Sequence, residues 1–392
     1  MKIGILTFHR PANFGANLQA FSSYRYLTSL GHNVKVIDFV RDVDDNYSKT
    51  VCKEQVQAHV DFVNINLSLT SEVRTPKDLQ DIVYLEKFDI IIIGADAVWR
   101  KSDNCVFFAD WLFSDNRIKD IPVASLSAAH MGNGFSMMSP LELNYIKGCL
   151  EKFNYISVRD SWTQYVVNRD VFAGNQVLNI INPDPVFLLD EFVEQNWESN
   201  GLIPQKYILL SLPQNWTMGK SGYVHKLWFN KFKKFFNKKG YAVVELPVPE
   251  GKSGLEFDYS VNYPIDPIQW YLYIKNAYAF CGLRFHAIVS CISAGTPFFS
   301  IDTYGNVSKL KWLLTLMGFY KLALKGDSKS KINNLLKGSG FEEHRVDVYI
   351  ENIPPRYIYD KIEGISREDI LRFRNSNISS FKKNVSDLLK SI

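Results

Sequence analysis

The stretch KIGILTFHRPANFGANLQAFSSYRYLTSLGHNVKVIDFV, Lys2 to Val40, decides the fold. Its opening run, Ile3–Phe8, is apolar without interruption, as in a strand buried on both faces. The polar turn His9-Arg-Pro-Ala-Asn-Phe-Gly15 breaks it. Leu18, Phe21, Tyr24, Leu27 and Leu30 then recur every three residues and predict one apolar helix face. Gly31 stands where a C′ glycine ends a helix, and Val34–Val40 reads as a second strand. Strand, helix and strand in this order make a β-α-β unit with a right-handed crossover expected.

Outward from this unit the pattern repeats. Asp89–Ile93, Pro122–Leu126, Tyr155–Val158 and Val177–Ile181 are further short apolar runs separated by helix-like stretches. A second series follows Asn182-Pro-Asp-Pro185 and the polar segment Glu191–Gln205. Lys206–Leu212, Tyr241–Leu246, Tyr278–Cys281 and Phe298–Ile301 read as its strands. Tyr223–Lys239, Ile268–Ala277 and the segment from Phe285 to Gly295 read as its helices. The expectation is an α/β chain of two Rossmann-like parallel-sheet domains facing across a cleft. They would span residues 1–190 and 206–365, with a helical tail at 366–392. Ligands of such folds bind outside the carboxyl ends of the strands, so residues just past each strand are the candidates.

The 392 residues are 46% hydrophobic and 22% charged, enough for full cores, which excludes disordered, collagenous and disulfide-stapled classes. Lys and Arg number 45 against 41 acids, a net charge of +4 that is too small to argue for nucleic acid or a membrane by itself. The 5 cysteines are odd in number and lack CxxC spacing, so free thiols fit better than zinc or disulfides. No run approaches the roughly 20 apolar residues of a membrane span, and Met1–Phe8 lacks a cleavage site. The expectation is a soluble cytoplasmic protein.

Cys281-Gly-Leu-Arg-Phe-His286 carries the sharpest chemical signal. It follows a strand and opens an apolar-faced helix, which puts Arg284 and His286 in that helix's first turn. Cations there oppose the helix dipole, and they make sense where an anion docks on the N–H groups between them. The competing reading pairs Arg284 with a nearby carboxylate and leaves His286 a satisfied, half-buried residue. Tyr155-Ile-Ser-Val-Arg159-Asp160-Ser161 repeats the arrangement, with Asp160 or Ser161 as N-cap. Arg159 is a second candidate anion ligand, although a salt bridge with Asp160 or a neighbour is the better reading of the residues alone. Phe88–Trp99 turns at Gly94 and presents Asp96, either a base for a hydroxyl or a turn residue.

The His9–Gly15 turn offers Asn13, Asn17 and backbone amides near Gly15 for a sugar or phosphate. It has neither GxGxxG nor GxxxxGKS/T, so dinucleotide and P-loop readings lose their main support. Ser127-Ala-Ala-His130 adds a loop histidine. His9, His130 and His286 are candidates to meet in the cleft, without the spacing of a metal site. No GxSxG hydrolase elbow is present. Lys231–Lys239 reads as a basic, solvated helix face, ahead of nucleic acid or of weak attraction to anionic lipid.

Taken together these segments resemble the polysaccharide pyruvyl transferase family, in its branch with an FGA-LQA turn. In chain order they are Lys2–Phe8, Asn13-Phe-Gly-Ala-Asn-Leu-Gln-Ala20, Gly31–Asp38, Phe88–Trp99, Ser125–Ala129, Ser157–Asp160, Asn182–Leu189 and Cys281–Pro297. The resemblance implies a glycosyltransferase-B-like pair of domains, with the acceptor on the 1–190 side and the donor on the 206–365 side. It implies transfer of pyruvate from phosphoenolpyruvate onto two hydroxyls of a sugar in a cell-surface or capsular polysaccharide precursor, with release of phosphate. The family's donor-binding Arg-x-His element falls on Arg284, Phe285 and His286, with His286 catalytic. Its S-x-R-D arginine falls on Arg159, and its aspartate on Asp96 as partner base.

Ala95 and Ala97 replace the usual Ser and Gln, and Arg100 the usual Asn, which removes polar contacts. Phosphoenolpyruvate is then a donor substrate, and neither metal nor other cofactor is required. The sugar acceptor, free or lipid-linked, is the other partner. Contact with a membrane would be peripheral, at its inner face, and no nucleic acid is involved. Two other classes compete: a glycosyltransferase-B enzyme with a nucleotide-sugar donor held by Arg284, and a non-catalytic sugar-binding relative.

Overall fold

The computed structural model describes residues 1–99, 106–130, 135–136, 138–194, 206–218, 222–301, 313–314, 317–318, 330–346 and 350–392. Arg100, Cys105 and residues 195–205 of the linker lie outside them. Two compact units result. One comprises Met1–Lys49, His59–Phe192 and Ser376–Ile392, the other Thr50–Ala58 and Val193–Asn375.

In the first unit the apolar runs become strands: β1 (Lys2–Leu6), β2 (Asn33–Val36), β3 (Ile90–Asp96), β4 (Val123–Ala128) and β5 (Tyr155–Val158). All neighbours are parallel in the order β2-β1-β3-β4-β5, with Ile5 opposite Val36 on one side and Ile92 on the other. β4 is buried along its whole length, as a strand covered on both faces must be. The helices are α1 (Phe14–Ser29), α2 (Asp42–Ser48), α3 (Lys53–Asn66), α4 (Pro76–Glu86), α5 (Asp110–Phe113), α6 (Pro140–Leu150) and α7 (Ser161–Val166). α3 is divided between the two units at Ala58 and His59. Capping boxes at Thr75 with Asp78 and at Ser139 with Glu142, each followed by a proline, start α4 and α6. Gly31 closes α1 at φ 86°, as a C′ glycine does.

Two expectations for this unit fail for identifiable reasons. Val177–Ile181 is not a strand. The Asn168 side chain takes both the N–H and the carbonyl of Leu178, leaving Ile181 a single bridge to Val158. The apolar face assigned to α1 is incomplete, since Leu30 is exposed while Asn17, Gln19, Ser22 and Ser23 are buried. The first turns of α1 are enclosed all round, so polar side chains share the interior.

The second unit holds β6 (Tyr207–Ser211), α8 (Gly222–Lys238), β7 (Ala242–Glu245), β8 (Tyr259–Ser260), α9 (Pro267–Asn276), β9 (Ala279–Gly282), α10 (Phe285–Ala294) and β10 (Phe298–Ile301). Then come α11 (Lys331–Leu336), β11 (Arg345–Val346), α12 (Pro355–Glu363) and α13 (Arg367–Lys390). The strands are parallel in the order β11-β10-β9-β6-β7-β8. β8 and β11 were not expected, being two residues long and so without a readable period. The expected tail at 366–392 is α13, whose residues to Asn375 belong with this unit and from Ser376 with the first.

Both orders are doubly wound. Strand order reverses at β1/β3 in the first sheet and at β6/β9 in the second. The crevice outside the carboxyl ends at such a reversal is where open α/β sheets take ligands.

Candidate functional site

In the second unit the reversal sits between Ser211 and Gly282, which are paired in register. A Cβ on Gly282 would stand 2.5 Å from the Ser211 carbonyl oxygen, so glycine lets the strand ends approach. The Leu283 N–H donates to that same oxygen at 3.1 Å. The chain then turns through Arg284 at φ 83°, a conformation that non-glycine residues seldom adopt and that clusters at functional sites.

Arg284 is therefore the N-cap of α10 and not a residue of its first turn, which begins with Phe285 and His286. The Arg284 side chain makes no capping hydrogen bond to this helix. Arg284 Nη2 donates to both carboxylate oxygens of Glu250, at 2.8 and 2.9 Å, with the arginine side chain 38% exposed. The carboxylate partner that the sequence left as an alternative is thus present. Glu250 itself gave no sequence signal, lying on the irregular loop after β7. Buried Glu245 at the end of β7 pins that loop, accepting from Ser253 N and Oγ at 2.7 Å each and from Ser260 Oγ at 2.8 Å. Asn215 N donates to Lys252 O at 3.0 Å, joining the loop to the turn after β6. The Phe285 and His286 rings meet edge-on at 5.2 Å, both half-buried. A cation, a helix N-terminus and an imidazole are thereby collected at one strand end.

In the first unit Thr7 Oγ1 donates to Ala95 O at 3.3 Å and so links the turn after β1 to the end of β3. Asp96 ends β3 at φ 70°, its side chain 17% exposed. Arg159 Nη1 lies 3.6 Å from Asp96 Oδ1 and 3.0 Å from Asp184 Oδ2. The Arg159 and Asp184 side chains are only 2% and 1% exposed. Burial works against the Arg159 charge, but Asp184, Asp96 and Asp160 outweigh it and hold the guanidinium above its usual range. Arg159 is accordingly a buried partner of the Asp184 and Asp96 carboxylates. Asp184 is the residue the sequence reading missed here, although Asn182-Pro-Asp-Pro185 had stood out as a motif.

The turn after β1 is likewise occupied by its own residues. Asn13 Oδ1 accepts from Gly15 N at 3.0 Å and Ala16 N at 3.3 Å, which caps α1 and uses the amides expected to face a ligand. Asn17 is fully buried; its amide donates to His9 O at 2.6 Å, and its oxygen meets His59 Nδ1 at 2.5 Å. Burial alone pushes His59 down to about 3. His9 is enclosed between Thr7 O and Asp38 Oδ1, both at 3.0 Å, and Arg10 clasps the same carboxylate. Burial raises the Asp38 pKa, but His9 and Arg10 overcome it and bring Asp38 to about 2. His130 is buried, its Nδ1 on Trp99 O and its N–H on Thr163 Oγ1 at 2.9 Å. Neither His9 nor His130 is an open loop histidine.

Among the described residues no group of three or more His, Cys, Asp or Glu is placed to hold a metal ion. No described helix is long and apolar enough to cross a membrane.

No curated protein matches the sequence. Among solved structures, UDP-GlcNAc 2-epimerase from Neisseria meningitidis bound to UDP-GlcNAc is similar at 10% identity and TM-score 0.51, over 98% of this chain and 100% of that one. An alpha-glucosyltransferase in complex with UDP and a 13-mer DNA is similar at 11% identity and TM-score 0.51, over 100% and 99%. At such identities the likeness is one of fold, two parallel-sheet α/β domains of the glycosyltransferase-B kind. The sequence profile of the family described as polysaccharide pyruvyl transferase matches residues 13–304, from the cap of α1 to just past β10. Asp96, Arg159, Asp184 and Arg284-Phe285-His286 all fall inside that match, and the chain belongs to the polysaccharide pyruvyl transferase family.

Proposed function

We propose that the protein transfers pyruvate from phosphoenolpyruvate onto two hydroxyls of a sugar in a polysaccharide precursor. The observation that supports this most directly is Arg284-Phe285-His286 at the N-terminus of α10, at the strand reversal of the second sheet. Phosphoenolpyruvate concentrates a phosphate and a carboxylate on three carbons. A guanidinium beside the N-terminus of a helix answers that charge. Arg284 and the start of α10 are assigned to the donor and His286 to proton transfer, since an imidazole gives and takes protons near neutrality.

The reaction balances as follows. A proton enters the enol methylene, making a methyl group and an oxocarbenium-like carbon, and the first sugar hydroxyl adds to it and loses its proton. The carbon–oxygen bond to phosphate breaks, and the second hydroxyl closes the ketal with loss of its proton. Of the two hydroxyl protons, one replaces that given to the methylene and the other leaves on phosphate. Asp96, held by Arg159, is assigned as a base for a hydroxyl.

A thermal-shift comparison of phosphoenolpyruvate, phosphate and nucleotide sugars tests the reading. UDP-GlcNAc and UDP belong in it because the structural relatives were bound to them. A ligand at about 100 times its dissociation constant adds about 2.7 kcal/mol. The expected result is a shift with phosphoenolpyruvate that Arg284→Ala abolishes and His286→Gln keeps, with His286→Gln releasing no phosphate from phosphoenolpyruvate when an acceptor sugar is present. A shift with a nucleotide sugar and none with phosphoenolpyruvate overturns the proposal in favour of a glycosyltransferase.

A further inference from the structure

The outward face of α8 has an unusual composition. Gly222, His225, Trp228, Phe229, Phe232 and Phe236 pack inward. On the other side Tyr223, Leu227, Lys231, Lys234 and Lys238 follow at steps of four or three residues, a single ridge along the helix. All are exposed, Tyr223 to 73% and Leu227 to 43%, with Val224 and Met218 exposed beside them. α8 has lysines at 226, 231, 233, 234 and 238 and no acidic residue.

Lys233 is neutralised by Asp258 at 3.2 Å. Lys226, Lys231, Lys234 and Lys238 make no hydrogen bond or ion pair among the described residues. A merely solvated helix gains by spacing acids against its lysines, and it gains nothing from exposed Tyr, Val and Leu. An open hollow of about 500 Å³ on this face is lined by Asn230, Lys233, Lys234, Asn237 and Lys238.

We propose that the Tyr223–Lys238 face of α8 docks the protein on a membrane surface containing anionic phospholipid. Tyr223, Val224 and Leu227 enter the headgroup boundary, and Lys231, Lys234 and Lys238 meet lipid phosphates. Charge complementarity selects an anionic partner. The apolar end of the ridge selects lipid over nucleic acid, because a soluble polyanion would use the lysines and leave Tyr223 and Leu227 in water. None of these residues has a part in the proposed transfer, so the two proposals fail separately.

The test is co-sedimentation of the full chain with vesicles of phosphatidylcholine alone and of equal parts phosphatidylcholine and phosphatidylglycerol. Binding is expected only to the second. Lys231→Gln/Lys234→Gln/Lys238→Gln, with an unchanged melting temperature, should lower partitioning about a hundredfold, on the scale of a few basic residues at an anionic surface. Tyr223→Ser/Leu227→Ser should remove the part of the binding that survives high salt. Absence of binding to the anionic vesicles overturns the proposal. So does binding that the lysine variant leaves intact. A single-stranded oligonucleotide bound as tightly as the vesicles, and equally by Tyr223→Ser/Leu227→Ser, assigns the face to nucleic acid instead.

Discussion

Arg159 shows how far single residues could be read. The strand-then-arginine pattern locates it and a salt bridge is present, but its partners are Asp184 and Asp96, far from it in sequence. A carboxylate 25 positions away leaves no trace in local spacing. Removing the guanidinium would leave the fully buried Asp184 carboxylate without its cation and beside Asp96. Arg159→Ala should therefore cost about 3–5 kcal/mol, and Asp184→Asn less, because an amide oxygen still accepts from Nη1. Urea unfolding of the two variants checks the order. Equal and small losses would mean that the pair is screened by solvent.

Elements were more legible than contacts. β5 and β10 have the ends expected of them, and most other strands differ by a residue or two, because uninterrupted Ile, Val and Phe runs have no other stable use. What failed were features set by a distant side chain, such as the loss of Val177–Ile181 to Asn168, or by two-residue pairings such as β8. Where strand ends meet, the sequence showed a glycine but not its neighbour. Gly282→Ala puts a methyl group against the Ser211 carbonyl, a backbone atom that cannot rotate away. Overpacking of this kind costs about 1–3 kcal/mol and should lower the melting temperature by several degrees. Because β9 leads through Leu283 into Arg284, the shift expected with phosphoenolpyruvate should shrink in Gly282→Ala even after allowance for its lower starting temperature. An undiminished shift would show that the turn holds its geometry independently of the strand ends.

At the scale of the whole molecule, each unit encloses a histidine kept neutral by its surroundings. In the first, burial pushes His59 down to about 3. In the second, burial and then Lys361 bring His344 to about 4, against the opposing pull of Glu343. Unfolding returns both to an ordinary value near 6.5. The unfolded chain therefore binds protons that the folded chain refuses as the pH falls below about 6.5, and stability declines until the folded values are reached. Between pH 7 and pH 5 each histidine should cost on the order of 1–2 kcal/mol. Asp38 acts lower on the scale. Its folded value of about 2 gives a contribution present above the usual carboxylate range and lost as the pH falls from about 4 towards 2. His59→Gln keeps a donor for Asn17 Oδ1 and cannot titrate, so its denaturant midpoint should change less between pH 7 and pH 5 than that of the unaltered chain. His344→Gln should do the same independently, since the residues lie in different units and share no partner. Identical pH dependence in His59→Gln and the unaltered chain would show that His59 is not held neutral, and that the polar interior beneath the β1 turn admits a proton or water.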